Sequence, residues 1–160
     1  MAKKFRGTFT VMVTAFNNDG LIDLDAQARF TQWQVDSGIH GLIPLGSTGE
    51  FLSMSFEERK AIAECVIKTV NGRVPVLVGA GAESTDDVIE NVEMAENLGA
   101  DGTMIIPPFY STPTRLELLK HFERISRKAT KPIMLYHKKL KQPLILDLMI
   151  IIQEKKLVIG

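Results

Sequence analysis

Short runs of apolar and β-branched residues recur at 9–13, 41–45, 74–78, 103–106, 132–136 and 157–159. Within each run the apolar positions are continuous rather than alternating, the pattern of strands buried on both faces. The longer stretches between them carry helical spacing and helix-start signals. Ser55-Phe56-Glu57-Glu58 reads as a capping box, followed by an apolar face of Ile62, Cys65, Val66 and Thr69. Ser84-Thr85-Asp86-Asp87 caps a second helix, with Val88, Val92, Ala95 and Leu98 on its inner face. Thr112-Pro113 places proline at a first helical position ahead of Leu116, Leu119, Phe122 and Ile125.

Roughly thirty residues separate Ile43, Leu77, Ile105 and Leu135, room for one strand, one helix and two short loops. The pattern predicts an α/β chain of six strands and five intervening helices, the first helix over 25–37, with the last residues in the sixth strand. Regular strand–helix alternation means a parallel sheet with crossover helices. Such a sheet can close into a barrel or stay open and doubly wound, and spacing alone does not choose. No linker or low-complexity stretch divides residues 1–160, which read as one domain.

Composition narrows the function classes. Hydrophobic residues make up 45% and charged residues 24%, and nineteen basic side chains balance nineteen acidic ones. A net charge of zero argues against a nucleic-acid or anionic-membrane partner, since either needs a basic excess on one face. No apolar run reaches membrane-spanning length, because Asp147 interrupts the longest, 144–152. No apolar stretch of the secretory kind follows Met1-Ala2-Lys3-Lys4. The single cysteine, Cys65, has no partner for an internal disulfide and reads as a small core hydrophobe. A cytoplasmic location is expected.

In parallel α/β folds, chemistry gathers at the C-terminal ends of the strands. Those ends read Gly46-Ser47-Thr48-Gly49-Glu50, Gly79-Ala80-Gly81-Ala82, Pro107-Pro108-Phe109-Tyr110 and Tyr136-His137-Lys138. The first offers hydroxyls and backbone N–H groups suited to a carboxylate, although the same residues also make an ordinary turn. Tyr110 and Tyr136 could relay a proton at the mouth of the sheet, or cap the core with their hydroxyls in water. His40, His121 and His137 stand apart, without metal-ligand spacing. Gly79 to Ser84 follows a strand and opens a helix as a dinucleotide-binding turn does. Ser84, however, occupies the place of the third glycine, and Asp101 precedes its strand instead of ending it.

Together these blocks resemble the dihydrodipicolinate synthase and N-acetylneuraminate lyase family. The resemblance runs from about Gly7 to Tyr136. It is carried by Val13-Thr14-Ala15-Phe16, Leu45-Gly46-Ser47-Thr48-Gly49-Glu50-Phe51, the stretch 52–59, the stretch 78–85, Pro107-Pro108-Phe109-Tyr110 and Leu135-Tyr136, in the family's order. It implies a (β/α)₈ TIM barrel, of which these residues form about five and a half βα units. It also implies oligomeric assembly and a Schiff-base reaction that makes or breaks a carbon–carbon bond of an α-keto acid such as pyruvate, without metal or organic cofactor. On this resemblance Ser47 and Thr48 hold the keto-acid carboxylate and Tyr136 moves protons beside the Schiff base. Ser47 links Tyr136 to Tyr110, which in the synthases reaches in from a neighbouring subunit.

Two departures bear on activity. After Tyr136 the family continues with Asn and Pro, where this chain has His137-Lys138-Lys139-Leu140-Lys141. Lys141 falls near an arginine that in the synthases binds the second substrate's carboxylate, and lysine lacks the bidentate fork. The family's Schiff-base lysine would follow Val158-Ile159-Gly160 after one more residue, while Lys155 and Lys156 lie at the wrong end of the strand. The sequence therefore supports two expectations: a dihydrodipicolinate synthase-like lyase or synthase, or a truncated relative that folds or self-associates without aldol chemistry.

Overall fold

The computed structural model describes residues 5–136 and the backbone of 158–159. Six strands are present: β1 (Phe9–Val11), β2 (Gly41–Ile43), β3 (Leu77–Gly79), β4 (Gly102–Ile105), β5 (Ile133–Leu135) and β6 (Val158–Ile159). Four α-helices are interleaved with them: α1 (Leu24–Asp36), α2 (Phe56–Val70), α3 (Thr85–Asn97) and α4 (Arg115–Lys128). The fifth predicted helix and the segment 137–157, with Lys141, lie outside the described residues.

Every strand pair is parallel. β1 pairs with β2, and β3 to β6 pair in sequence order. A Leu42–Val76 bridge and the bonds Leu42 N–H to Pro75 O and Gly79 N–H to Pro44 O join β2 to β3. The strands thus lie side by side in chain order. A doubly wound sheet reverses its order at a switch point, whereas an unbroken order is that of a barrel wall. Among the described strands the hydrogen bonding shows no such reversal.

The two faces of the wall differ. Helix-facing strand residues Leu42, Val76 and Val78 pack with Ile62, Ala63, Val66 and Val70 of α2. Ile105 and Ile133 pack with Val88 and Val92 of α3 and with Phe122 and Ile125 of α4. On the opposite face Ile43, Leu77 and Met104 pack with Phe5, Phe9 and Met134, and among the described residues no helix joins this cluster. β1, expected to be buried on both faces, is half open. Val11 is 37% exposed because its side lines a cleft rather than a packed core.

Two details of the helices, in α2 and α4, differ from expectation, and for a third, in α1, there was no expectation. In α2 the buried stripe is Ile62, Ala63, Val66 and Val70, and Cys65 is only partly buried, its thiol donating to Leu24 O at 3.4 Å. Helix α4 begins after Thr114, not at Pro113. Thr114 N–H donates to Glu117 Oε2 at 2.7 Å and Glu117 N–H to Thr114 Oγ1 at 3.4 Å, a complete capping box that outranks the proline signal. That start turns Leu118 inward and leaves Leu116 exposed. Helix α1 buries polar side chains, Gln27, Thr31 and Gln34. Gln27 is satisfied by accepting from Ala15 N–H at 2.9 Å and donating to Val13 O at 3.4 Å, which fastens α1 to the end of β1.

Candidate functional site

The open face of the sheet forms a cleft of about 560 Å³. At one end of it lie Gly46, Ser47, Thr48 and Tyr136, all at C-terminal strand ends; Phe9, Val11, Met104 and Met134 are among its apolar walls. Ser47 and Thr48, expected to hold the keto-acid carboxylate, and Tyr136, expected to move protons, thereby line one cavity.

The Ser47–Gly49 segment is a single 3₁₀ turn. Its first internal bond runs from Gly49 N–H to Gly46 O at 2.9 Å, which leaves the amides of Ser47 and Thr48 without an acceptor among the described residues. Both side chains are exposed while Gly46 and Gly49 are buried. Both residues line the cleft, and their unengaged amides and hydroxyls make a donor set matched to a carboxylate.

Backbone geometry holds the turn in place. Leu45, buried at the end of β2, has φ 62° and Glu50 after the turn has φ 58°. A leucine in the left-handed region is strained by about 1–3 kcal/mol, and such strain persists where the surroundings fix it. The fixing contact is Gly79: a Cβ there would run into the Leu45 carbonyl. On the other side Thr14 Oγ1 donates to Gly49 O at 2.7 Å in a buried bond. Thr14 lies in the Val13-Thr14-Ala15-Phe16 block, yet sequence reasoning gave it no role. Its place just past a strand's apolar run was the available signal.

The glycines of the 79–84 stretch have internal employment as well. Gly79 admits the Leu45 carbonyl, and a Cβ at Gly81 would lie 2.8 Å from Ile106 Cγ1. Ser84 accepts from Asp87 N–H at 3.0 Å as the N-cap of α3. Close packing of neighbouring strand ends accounts for these residues without a bound phosphate.

Tyr136 closes the described part of β5, its N–H donating to Ile105 O at 3.0 Å, and its side chain is 46% exposed. Tyr110 is not part of the cleft and is 92% exposed. Among the described residues no hydrogen bond joins Ser47 to either tyrosine, so the three-residue link is not assembled within one chain. The Tyr110 loop is held by Glu83, whose carboxylate accepts from the N–H groups of Phe109 at 2.6 Å and Tyr110 at 2.7 Å. The amide and hydroxyl of Ser111 add bonds of 3.4 and 3.2 Å. Burial pushes the Glu83 carboxyl up, but the donors of Tyr110, Phe109 and Ser111 more than offset it, and the group titrates below the usual carboxylate range. Sequence reasoning missed this residue too.

The match to known proteins agrees with this architecture. Residues 4–148 match the model of the dihydrodipicolinate synthetase family. The 4-hydroxy-tetrahydrodipicolinate synthase of Maridesulfovibrio salexigens is 41% identical over 133 residues, covering 83% of this chain and 45% of that protein. A solved prophage protein of the dihydrodipicolinic acid synthase family from E. coli K12, in complex with pyruvate, superposes with a TM-score of 0.80 at 39% identity, over 82% of this chain and 44% of that one. A putative dihydrodipicolinate synthetase from Pseudomonas aeruginosa gives 0.88 at 30% identity, over 91% and 52%. The chain belongs to the dihydrodipicolinate synthetase family, and it spans about half the length of the relatives it matches.

Proposed function

We propose that this chain forms the keto-acid-binding side of a pyruvate-dependent Schiff-base lyase or synthase of the 4-hydroxy-tetrahydrodipicolinate synthase type. The observation that carries the reading is the pair of unengaged amides and hydroxyls at Ser47 and Thr48, residues that line the same cleft as Tyr136. Four donors on two successive residues fix a carboxylate in position and direction, and charge-assisted bonds of this kind are the strong ones. A keto acid anchored there extends its carbonyl into the cleft, towards the end of β5 and the Tyr136 phenol. In Schiff-base chemistry a lysine amine adds to that carbonyl and the carbinolamine hydroxyl leaves as water, which requires a proton at the departing oxygen. In this reading Tyr136, which lines the same cleft, delivers it.

No lysine among the described residues lines the cleft. The reading therefore assigns anchoring and proton transfer to these residues, and iminium formation to a lysine outside the described ones. Tyr110, exposed and outside the cleft, fits the same scheme as a residue offered to a second copy in a homo-oligomer, and Lys141 as a binder of the second substrate's carboxylate. The wall of consecutive parallel strands is then part of a TIM barrel, with about five and a half of its βα units in this chain. A cytoplasmic setting accompanies the reading.

Titration with pyruvate, followed by NMR, tests it. The amides of Ser47 and Thr48 should shift on binding, and Ser47→Ala with Thr48→Ala should weaken binding by about tenfold or more, the equivalent of roughly 1.4 kcal/mol. Absence of any pyruvate-dependent shift at these two amides would overturn the reading. Borohydride added to the pyruvate complex separates binding from Schiff-base formation, since only a trapped iminium raises the protein mass.

A further inference from the structure

The backbone of the loop that carries Tyr110 is held by the side chain of Glu83. Glu83 stands 26 to 28 positions earlier in sequence and accepts from three successive residues, Phe109, Tyr110 and Ser111. Its own backbone is fixed on both sides. Ser84 caps α3 immediately after it, and Gly81 packs against Ile106 two residues before it. Pro107 and Pro108, which bring no N–H groups, lead into the loop, so Phe109 is the first residue there able to donate. The Phe109 ring meets Phe51 edge-on at 6.1 Å, and Phe51 stands two positions after the Ser47–Gly49 turn, across Glu50. One carboxylate and one ring contact thus join the ends of β2, β3 and β4.

These amides are exposed, and water could satisfy them at little cost. A carboxylate does something water cannot: it sets the direction of three consecutive peptide planes and with them the Cα–Cβ vector of Tyr110. We infer that Glu83 is a positioning residue, whose carboxylate aims the Tyr110 side chain outward so that it can serve the proton chemistry proposed above; the inference rests on that reading. Glu83 touches neither cleft nor substrate and acts through Tyr110 alone. Its partners are uncharged N–H and O–H donors, so the hold is strongest with Glu83 ionised and both oxygens accepting.

The test is NMR and hydrogen exchange on the 160-residue chain. In the native protein the amides of Phe109 and Tyr110 should titrate together with the Glu83 carboxyl, at a midpoint below that of an ordinary glutamate. Glu83→Gln keeps one acceptor oxygen, so it should abolish the shared titration yet retain part of the amide protection. Glu83→Ala should raise exchange at both amides by about tenfold or more and bring the Tyr110 Hα–Hβ couplings to rotamer-averaged values, while the amides of Val88 and Val92 stay protected. Two results would overturn the inference: Phe109 and Tyr110 unmoved in both variants, or α3 amides lost to the same degree, which would mean general loosening. Pyruvate shifts at Ser47 and Thr48, followed in the same samples, keep the two readings apart. Their loss in the native chain counts against the proposed function and leaves the Glu83 result standing.

Discussion

At the scale of single residues, the site depends on a close approach between backbones. Leu45 can hold its left-handed conformation because Gly79 leaves room for its carbonyl. Gly79→Ala should cost about 1–3 kcal/mol by forcing these strand ends apart, and it should also disturb the amides of Ser47 and Thr48. Urea unfolding measures the first effect and NMR shifts the second. His121 provides a pH-dependent probe. It is 7% exposed, with Nδ1 bonded to Thr85 Oγ1 at 2.9 Å and Nε2 unpartnered among the described residues. Burial, and secondarily the neighbouring Arg124 charge, holds its pKa below the ordinary 6.5. A group whose folded pKa is depressed in this way binds protons more readily when unfolded, so stability rises with pH across the interval between the two values. The contribution is complete above pH 6.5 and is lost as pH falls towards the folded value. Unfolding midpoints measured on either side of pH 6.5 should show this slope, and His121→Gln should remove it.

Among elements, helix starts carry much of what was legible in the sequence. The Ser55/Glu58 box and the Ser84 cap are where their motifs place them, because such caps are local chemistry written within four residues. The start of α4 was misplaced since Pro113 and Thr114 both carry start signals, and only reciprocal bonding with Glu117 separates them. Thr114→Ala should therefore destabilise the fold by about 1 kcal/mol, while Pro113→Ala should change it by only a few tenths. Thermal unfolding of the two variants distinguishes these starts. Helix faces were legible at their centres and misread at their edges. Cys65 and Ala63 exchange roles in α2 because an apolar stripe on a 3.6-residue period does not say which edge of it a neighbouring strand will cover.

For the molecule as a whole, the parallel pairing of the strands and the convergence of Ser47, Thr48 and Tyr136 follow from alternation and from the rule that strand ends carry chemistry, while the order of the strands does not. Thr14, Glu83 and the Leu45 strain were not legible, because each depends on a partner 26 to 35 positions away and carries no local pattern. Nor does an apolar run reveal that the two faces of this sheet are unequally covered. Val78 and Val11 put the same side chain on the same wall, Val78 fully buried among helix residues and Val11 37% exposed at the cleft. If the helix-facing core carries the fold, Val78→Ala should cost about 2 kcal/mol, from two lost methylenes and the cavity they leave. Val11→Ala should cost about 1 kcal/mol or less, since water already reaches that side chain. The comparison also reports on assembly. Should another chain cover the cleft in solution, the cost of Val11→Ala would rise towards that of Val78→Ala and would grow with protein concentration, because burial at an interface is linked to association. Urea titrations of both variants at low and high protein concentration read the two effects separately: equal costs at every concentration would mean a sheet packed alike on both faces, and a concentration-dependent Val11 cost would place a partner over the cleft.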